Sequence, residues 1–278
     1  MRIGVIGLGL VGGSIALALH SRHEVIGFDN DAVARHEADR SGVRVVDRLE
    51  GLAGLEAVIV ATPIPEVVPT LERLAALSDG AVLLDTASLK GAIADFATRA
   101  PDTARIVGGH PMAGGTSRGF AAADPALFRR RPFLIVPTAR SDDQAMTVAG
   151  AIARECGGIV TVCSPKVHDR AMAWLIAAPL AAAAALAVAG ASASPLLIAA
   201  GPGFRDATRL ADTPDDLALE LLFANAEAAR AAIASVAEGL SQLQSALDRG
   251  DRDHARRFLE LARSVRAELG GHESVASG

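Results

Sequence analysis

The sequence predicts an α/β unit built on a mostly parallel sheet, followed by an all-α unit. Two observations carry this. Short apolar runs alternate with helical stretches from the N-terminus to about residue 163, and no strand-like run follows 159–162. Beyond that point the chain reads as helix, including 217–247 and 251–269. A third observation specifies the first unit. The opening thirty residues run strand, glycine-rich turn, helix, strand and acid, in that order. The expected division is residues 1–163 and 164–278.

An apolar strand, 3–6, leads directly into Gly7-Leu8-Gly9-Leu10-Val11-Gly12. An apolar helix, 14–19, follows, and then a second strand, 25–28, that ends at Asp29. Gly7 permits a tight turn, Gly9 lets a pyrophosphate approach the backbone, and Gly12 allows the helix to pack close to the strand. The helix start at Leu10 and Val11 points free N–H groups and a positive dipole end at the phosphates. Asp29 lies about 20 residues past the glycines, where a carboxylate accepts from an adenosine ribose. This is a Rossmann-type dinucleotide-binding pattern; without a ligand it would be a tight βα turn. A carboxylate at residue 29 repels a 2′-phosphate, Asn30 and Asp31 bring no cation, and Arg35 lies further along the next helix. NAD is therefore favoured over NADP.

Further strands are expected at 43–46, 57–61, 81–84, 105–107, 133–136 and 159–162, with helices at 67–77, 90–98 and 143–155. Sites in such sheets lie in loops at the carboxyl ends of strands. Three such loops stand out. Thr62 and Pro63, in Ala61-Thr62-Pro63-Ile64-Pro65, are placed to wall a cofactor. Asp85-Thr86-Ala87-Ser88-Leu89-Lys90 offers Ser88, as a helix cap, a functional hydroxyl or both. Gly108-Gly109-His110-Pro111-Met112-Ala113-Gly114-Gly115 holds a histidine between glycine pairs, which reads as a poised acid/base rather than packing.

The helical part contains 19 consecutive residues, 171–189, without a polar side chain. That length meets the threshold for a membrane span. Alanine dominates it, Pro179 interrupts it, and Asp169 and Arg170 abut it, so a helix buried on all sides by protein is expected, shared with a second subunit. The net charge of −5 and the absence of a basic block argue against a nucleic-acid surface. Two cysteines, Cys156 and Cys163, make neither a disulfide framework nor a zinc site, and no metal is expected. A reducing cytoplasm fits them, and the apolar start is already a strand, not a signal peptide. The tail 270–278 is small and polar and is expected to fray.

At these motifs the chain resembles the prephenate/arogenate dehydrogenase family. The matching segments are GLGLVGGS (7–14), ATPI (61–64), DTASLK (85–90), GGHPMAGG (108–115), HDRAMAW (168–174) and GFRDATR (203–209). They occur in family order, and GGHPMAG is the specific one. The resemblance implies a nucleotide-binding domain plus a helical domain that interlocks two subunits. It implies oxidative decarboxylation: hydride passes to NAD, the ring carboxylate leaves as carbon dioxide, and the ring becomes aromatic. By resemblance His110 takes the hydroxyl proton and Ser88 helps to hold the hydroxyl. A guanidinium suits the substrate carboxylates because its fork matches them and its charge does not titrate away. Arg209 matches the family's substrate-binding arginine; Arg205 is a second candidate or a structural ion-pair partner.

The chain departs from the family after HDRAMAW. Many members carry Ser-His-Leu-Pro-His where this one has Ile176-Ala177-Ala178-Pro179-Leu180. Losing both histidines leaves an apolar wall. Arogenate is mildly favoured over prephenate, and a prephenate analogue of a specialised pathway remains open. No appended regulatory module is expected. A β-hydroxyacid dehydrogenase would use a lysine on a long helix of the second domain, and only Lys166 lies beyond residue 90. A non-catalytic NAD-binding redox sensor is the remaining alternative, with His110 and Arg209 arguing against it.

Overall fold

The computed structural model describes residues 1–77, 80–115, 117–192 and 194–275. An eight-stranded sheet forms the N-terminal part: β1 (Arg2–Ile6), β2 (Glu24–Phe28), β3 (Arg44–Val45), β4 (Ala57–Val60), β5 (Val82–Asp85), β6 (Arg105–Pro111), β7 (Pro132–Pro137) and β8 (Ile159–Val162). Their order is β3-β2-β1-β4-β5-β6-β7-β8. The first six run parallel; β7 pairs antiparallel with β6, and β8 follows β7. Helices α1 (Leu10–Leu19), α2 (Ala32–Arg40), α3 (Ile64–Leu77), α4 (Gly91–Arg99) and α5 (Asp143–Glu155) connect them.

The central strands are apolar on both faces because helices cover both. Ile3, Val5 and Ile59 point into one core with Ile15, Leu19 and Ile152. Ile6, Val58 and Val60 point into the other with Val67, Leu71 and Phe96. Near-continuous apolar runs rather than alternating ones are what a doubly covered parallel sheet demands.

One expectation at the sheet needs correction. His110 does not follow a strand that ends at Val107; it lies inside β6. The strand is extended because β7 pairs with it through Gly108–Val136, Gly109–Ile135, His110–Leu134 and Pro111–Phe133. Glycines are required there. A Cβ at Gly109 would meet the Asp85 carbonyl at 2.6 Å, and one at Gly108 would meet the Lys90 Cδ at 2.9 Å.

The remainder is helical: α6 (Pro165–Met172), α7 (Ala178–Ala191), α8 (Pro202–Thr208), α9 (Asp215–Phe223), α10 (Ala226–Asp248) and α11 (Arg252–Val275). A π-helical turn, Ala173–Ala177, joins α6 and α7 into one rod. The single helix expected over 217–247 is two helices. The chain breaks at Asn225, whose side chain turns back to donate to the Asp169 carbonyl at 2.7 Å. The apolar rod is also less covered than expected. Its most apolar window is 33% buried, the small core Ala173, Ala178 and Ala232 facing α10, while Val188 stays 75% exposed. Within the chain α10, α8 and the turns flanking α8 pack on it, and much of its surface stays uncovered. Of the tail expected to fray, 270–275 continues α11, and 276–278 lies outside the described residues.

Candidate active site

The turn after β1 is built by exclusion. Gly7 adopts φ +87°, where a Cβ would also press on the Ala61 carbonyl at 2.5 Å. A Cβ on Gly12 would lie 1.9 Å from the Gly7 oxygen. Gly9 differs: a Cβ there would meet nothing within 4 Å. Among the described residues that space is open; it lies at the start of α1, where Gly9 caps the helix without any side-chain acceptor. The N–H groups around Leu10 and Val11 thus face an open cradle suited to an anion.

Asp29, at the tip of β2, closes one side. Its carboxylate accepts from Leu8 N at 2.6 Å and from Asp31 N at 2.8 Å, so it is locked between the glycine turn and α2. Arg35 is closer than its sequence position suggests. Its Nη1 donates to the carbonyls of Asp29, at 2.6 Å, and Asn30, at 3.2 Å. On another side Thr62 has a buried hydroxyl oxygen with no hydrogen-bond partner among the described residues, and the exposed Pro63 follows it at the entry to α3. An orphaned buried hydroxyl is costly unless a ligand completes it. The open space at Gly9, the free helix start and this hydroxyl all fit a dinucleotide.

The second group gathers around His110. Its Nδ1 lies 3.0 Å from Nε2 of His168, which comes from α6. Nδ1 of His168 lies 2.7 Å from Oδ1 of Asp169. The same carboxylate accepts from Lys90 N and Gly91 N, each at 2.8 Å, and so caps α4. Below, the buried ammonium of Lys90 contacts Asp85 and donates to the Ala87 carbonyl at 2.7 Å. His110, His168, Lys90 and Asp85 are all buried.

Electrostatics orders this chain of groups. Burial pushes the His110 imidazole well below its usual 6.5, and the charges of Lys90 and His168 push it further. Burial raises the Asp169 carboxyl, but bonds from His168, Lys90 N and Gly91 N outweigh it and hold the group below the usual carboxylate range. An ionised Asp169 can only accept, so His168 donates from Nδ1. Held in this orientation, His168 sets its Nε2 against Nδ1 of His110. The remaining nitrogen of His110, Nε2, makes no hydrogen bond to a described residue and accepts a proton when the neutral ring carries its hydrogen on Nδ1.

The other sequence candidates make no hydrogen bond or ion pair with this cluster among the described residues. Ser88 is half-buried and is not the helix cap, since Asp169 has that role; its hydroxyl makes no hydrogen bond to a described residue. Arg205 and Arg209 are exposed, in α8 and the turn after it. Arg205 donates to the Ala200 carbonyl at 3.0 Å rather than forming an ion pair. Arg209 has no ion-pair partner among the described residues. Sequence reasoning gave no role to His168, Asp169, Asp85 or Lys90. The available signal was the adjacent His-Asp pair and the glycines 108 and 109, which spare room for Asp85 and Lys90.

Two family models match in succession: the prephenate dehydrogenase nucleotide-binding domain over residues 15–162 and the prephenate dehydrogenase dimerization domain over 164–261. The chain belongs to the prephenate dehydrogenase family. A prephenate dehydrogenase of Bacillus subtilis is 29% identical over 95% of this chain and 74% of its own length. The crystal structure of Synechocystis arogenate dehydrogenase is 29% identical with a TM-score of 0.85, covering 97% of this chain and all of that one. A prephenate dehydrogenase structure from A. aeolicus, solved with hydroxyphenyl propionate and NAD+, shares the fold at a TM-score of 0.88 and 23% identity, covering 97% and 98% of the two chains. Within this prephenate dehydrogenase family member, the glycine turn and the His110 cluster are both built on the β1–α1 and β5–β6 ends of one sheet.

Proposed function

We propose that this family member catalyses NAD-dependent oxidative decarboxylation of arogenate or prephenate, as a cytoplasmic homodimer serving tyrosine biosynthesis. Residues 1–163 form the dinucleotide-binding unit and 164–278 the substrate and dimerisation unit; no nucleic acid or membrane takes part. The observation that carries the reading is His110: a buried imidazole with its Nδ1 engaged, its Nε2 free, on the same sheet as an open dinucleotide cradle.

Gly7, Gly9, Gly12, Leu10 and Val11 receive the pyrophosphate, Asp29 the adenosine ribose, and Thr62 and Pro63 the facing wall. Bound there, NAD supplies the hydride acceptor. His110 Nε2 takes the proton of the ring hydroxyl as hydride leaves the carbon that bears it. Ser88 holds that hydroxyl from the far side. Loss of the ring carboxylate as carbon dioxide completes an aromatic ring, and this driving force lets a weak base suffice. His168 and Asp169 keep His110 in the tautomer that accepts. Arg209, with Arg205 beside it, grips a substrate carboxylate through a fork whose charge does not titrate away.

Ala177 and Leu180 favour keeping a second substrate in view. Both are buried on the rod that carries His168, at the positions where the family resemblance leads one to expect histidine, so this stretch is apolar. The test is a parallel turnover assay with prephenate, arogenate and an amino-substituted prephenate, each with NAD+ and NADP+, following reduced-cofactor absorbance. Turnover of one of them with NAD+ is expected. Binding of NAD+ with no turnover of any would identify a sensor and overturn the enzymatic reading.

A further inference from the structure

Arg35 stands where an arginine was expected to be missing. It belongs to the first turn and a half of α2, yet its guanidinium folds back to the end of β2. Nη1 bonds the carbonyls of Asp29 and Asn30, and Nε lies 3.7 Å from Asp47. Asp47 is 90% exposed, so that ion pair is weak and easily exchanged for another anion. The side chain of Arg35 itself is only 21% exposed, held by its stem and its carbonyl partners. A fixed guanidinium therefore sits at the same strand tip as the carboxylate that selects against phosphate. The two have opposite preferences. Asp29 accepts hydroxyl hydrogen bonds and repels a phosphate; the guanidinium attracts one, with Nη2 making no hydrogen bond to a described residue and Nε held only by the weak Asp47 pair.

We infer that Arg35 is a built but masked 2′-phosphate site, and that Asp29 alone keeps the cradle selective for NAD. The inference rests on the proposed use of NAD by the glycine cradle. Shortening the side chain to serine also frees the backbone donors it now occupies, Leu8 N and Asp31 N, so a phosphate arriving there finds N–H groups at the same strand tip as the guanidinium. No arginine has to be introduced.

The experiment measures binding by titration calorimetry, independent of turnover, with NAD+, NADP+, AMP and adenosine 2′,5′-bisphosphate. The proteins are wild type, Asp29→Ser, Asp29→Asn and the double variant Asp29→Ser with Arg35→Ala. Asp29→Asn retains an acceptor for Leu8 N and serves if the serine variant disturbs the turn. Wild type is expected to prefer NAD+ and AMP. Either single variant is expected to shift the NADP+ to NAD+ affinity ratio by about 10- to 100-fold, and the bisphosphate to AMP ratio alike. In the double variant that gain should disappear. A single variant with no gain, or a gain that survives Arg35→Ala, overturns the role of Arg35. A wild type that binds neither NAD+ nor AMP overturns the underlying reading of the cradle and this inference with it.

Discussion

At the scale of single residues the proposed chemistry rests on His110. His110→Asn keeps a polar side chain of similar reach but removes the base. Turnover should fall roughly 100- to 10,000-fold with NAD+ affinity little changed; near-normal turnover would remove it from the role. The depressed His110 pKa sets the pH dependence. The imidazole is neutral at and above its usual 6.5, so the acid limb of kcat/KM should lie below pH 6.5 and not at it. Stability follows the same sign. Above 6.5 folded and unfolded chains both hold neutral His110. As the pH falls below 6.5, the unfolded chain takes up a proton that the folded one refuses, so stability declines. Urea unfolding at stepped pH should show that decline reduced in His110→Asn. Arg209→Ala should raise KM more than it lowers kcat, and leave cofactor affinity unchanged; the reverse pattern would place it elsewhere. His110 was legible in the sequence because glycines and a proline around a histidine are poor packing. His168 and Asp169 had no such mark, since their meaning depends on α6 meeting a strand 58 residues away.

Among the elements, the glycine turn makes the sharpest contrast. Gly9 and Gly12 look alike in sequence but answer to different demands. Gly12→Ala places a methyl against the Gly7 carbonyl and the Ala61 side chain, so the turn must open. Overpacking of this kind costs about 1–3 kcal/mol, and more where backbone must move. Gly9→Ala meets nothing in the chain, so stability should change by no more than about 0.5 kcal/mol, as for surface substitutions. The methyl would occupy the phosphate's approach, and NAD+ affinity should drop. Thermal unfolding and calorimetry on the two variants check this. Equal loss of stability in both, or NAD+ affinity unchanged in Gly9→Ala, would refute the division of labour. β1, α1 and β2 were legible because local signals and tertiary demands agree there. β6 was not. Gly108, Gly109 and Pro111 are turn signals locally, and only the antiparallel approach of β7, with Asp85 and Lys90 beneath, makes the segment a strand.

Across the whole molecule, apolar exposure is unevenly spread. The helical part leaves Val188, Leu196, Ile198 and Phe223 between 72% and 91% exposed, whereas the central strands are buried and the sheet exposes apolar side chains at its β8 edge, Ile159 and Val162. Large exposed apolar patches mark interfaces, and the matching family model describes a dimerization domain. The rod over Pro165–Ala191 is long and apolar enough to cross a bilayer, but its first turns are tied to the sheet. Asp169 caps α4 and bonds His168 there, so that end of the rod is fixed to the active site. A second copy of the chain is the cover consistent with that tether. Val188→Asp and Ile198→Asp should each convert the protein from dimer to monomer in sedimentation velocity. The cradle is built within one chain, so NAD+ binding should survive. Turnover should fall if the second protomer steadies the α8 segment bearing Arg205 and Arg209, because an exposed arginine gains a fixed direction only when something packs beside it. A wild type that sediments as a monomer, or that stays in solution only with detergent, would defeat the dimer; a monomeric variant with full turnover would separate the dimer from the chemistry.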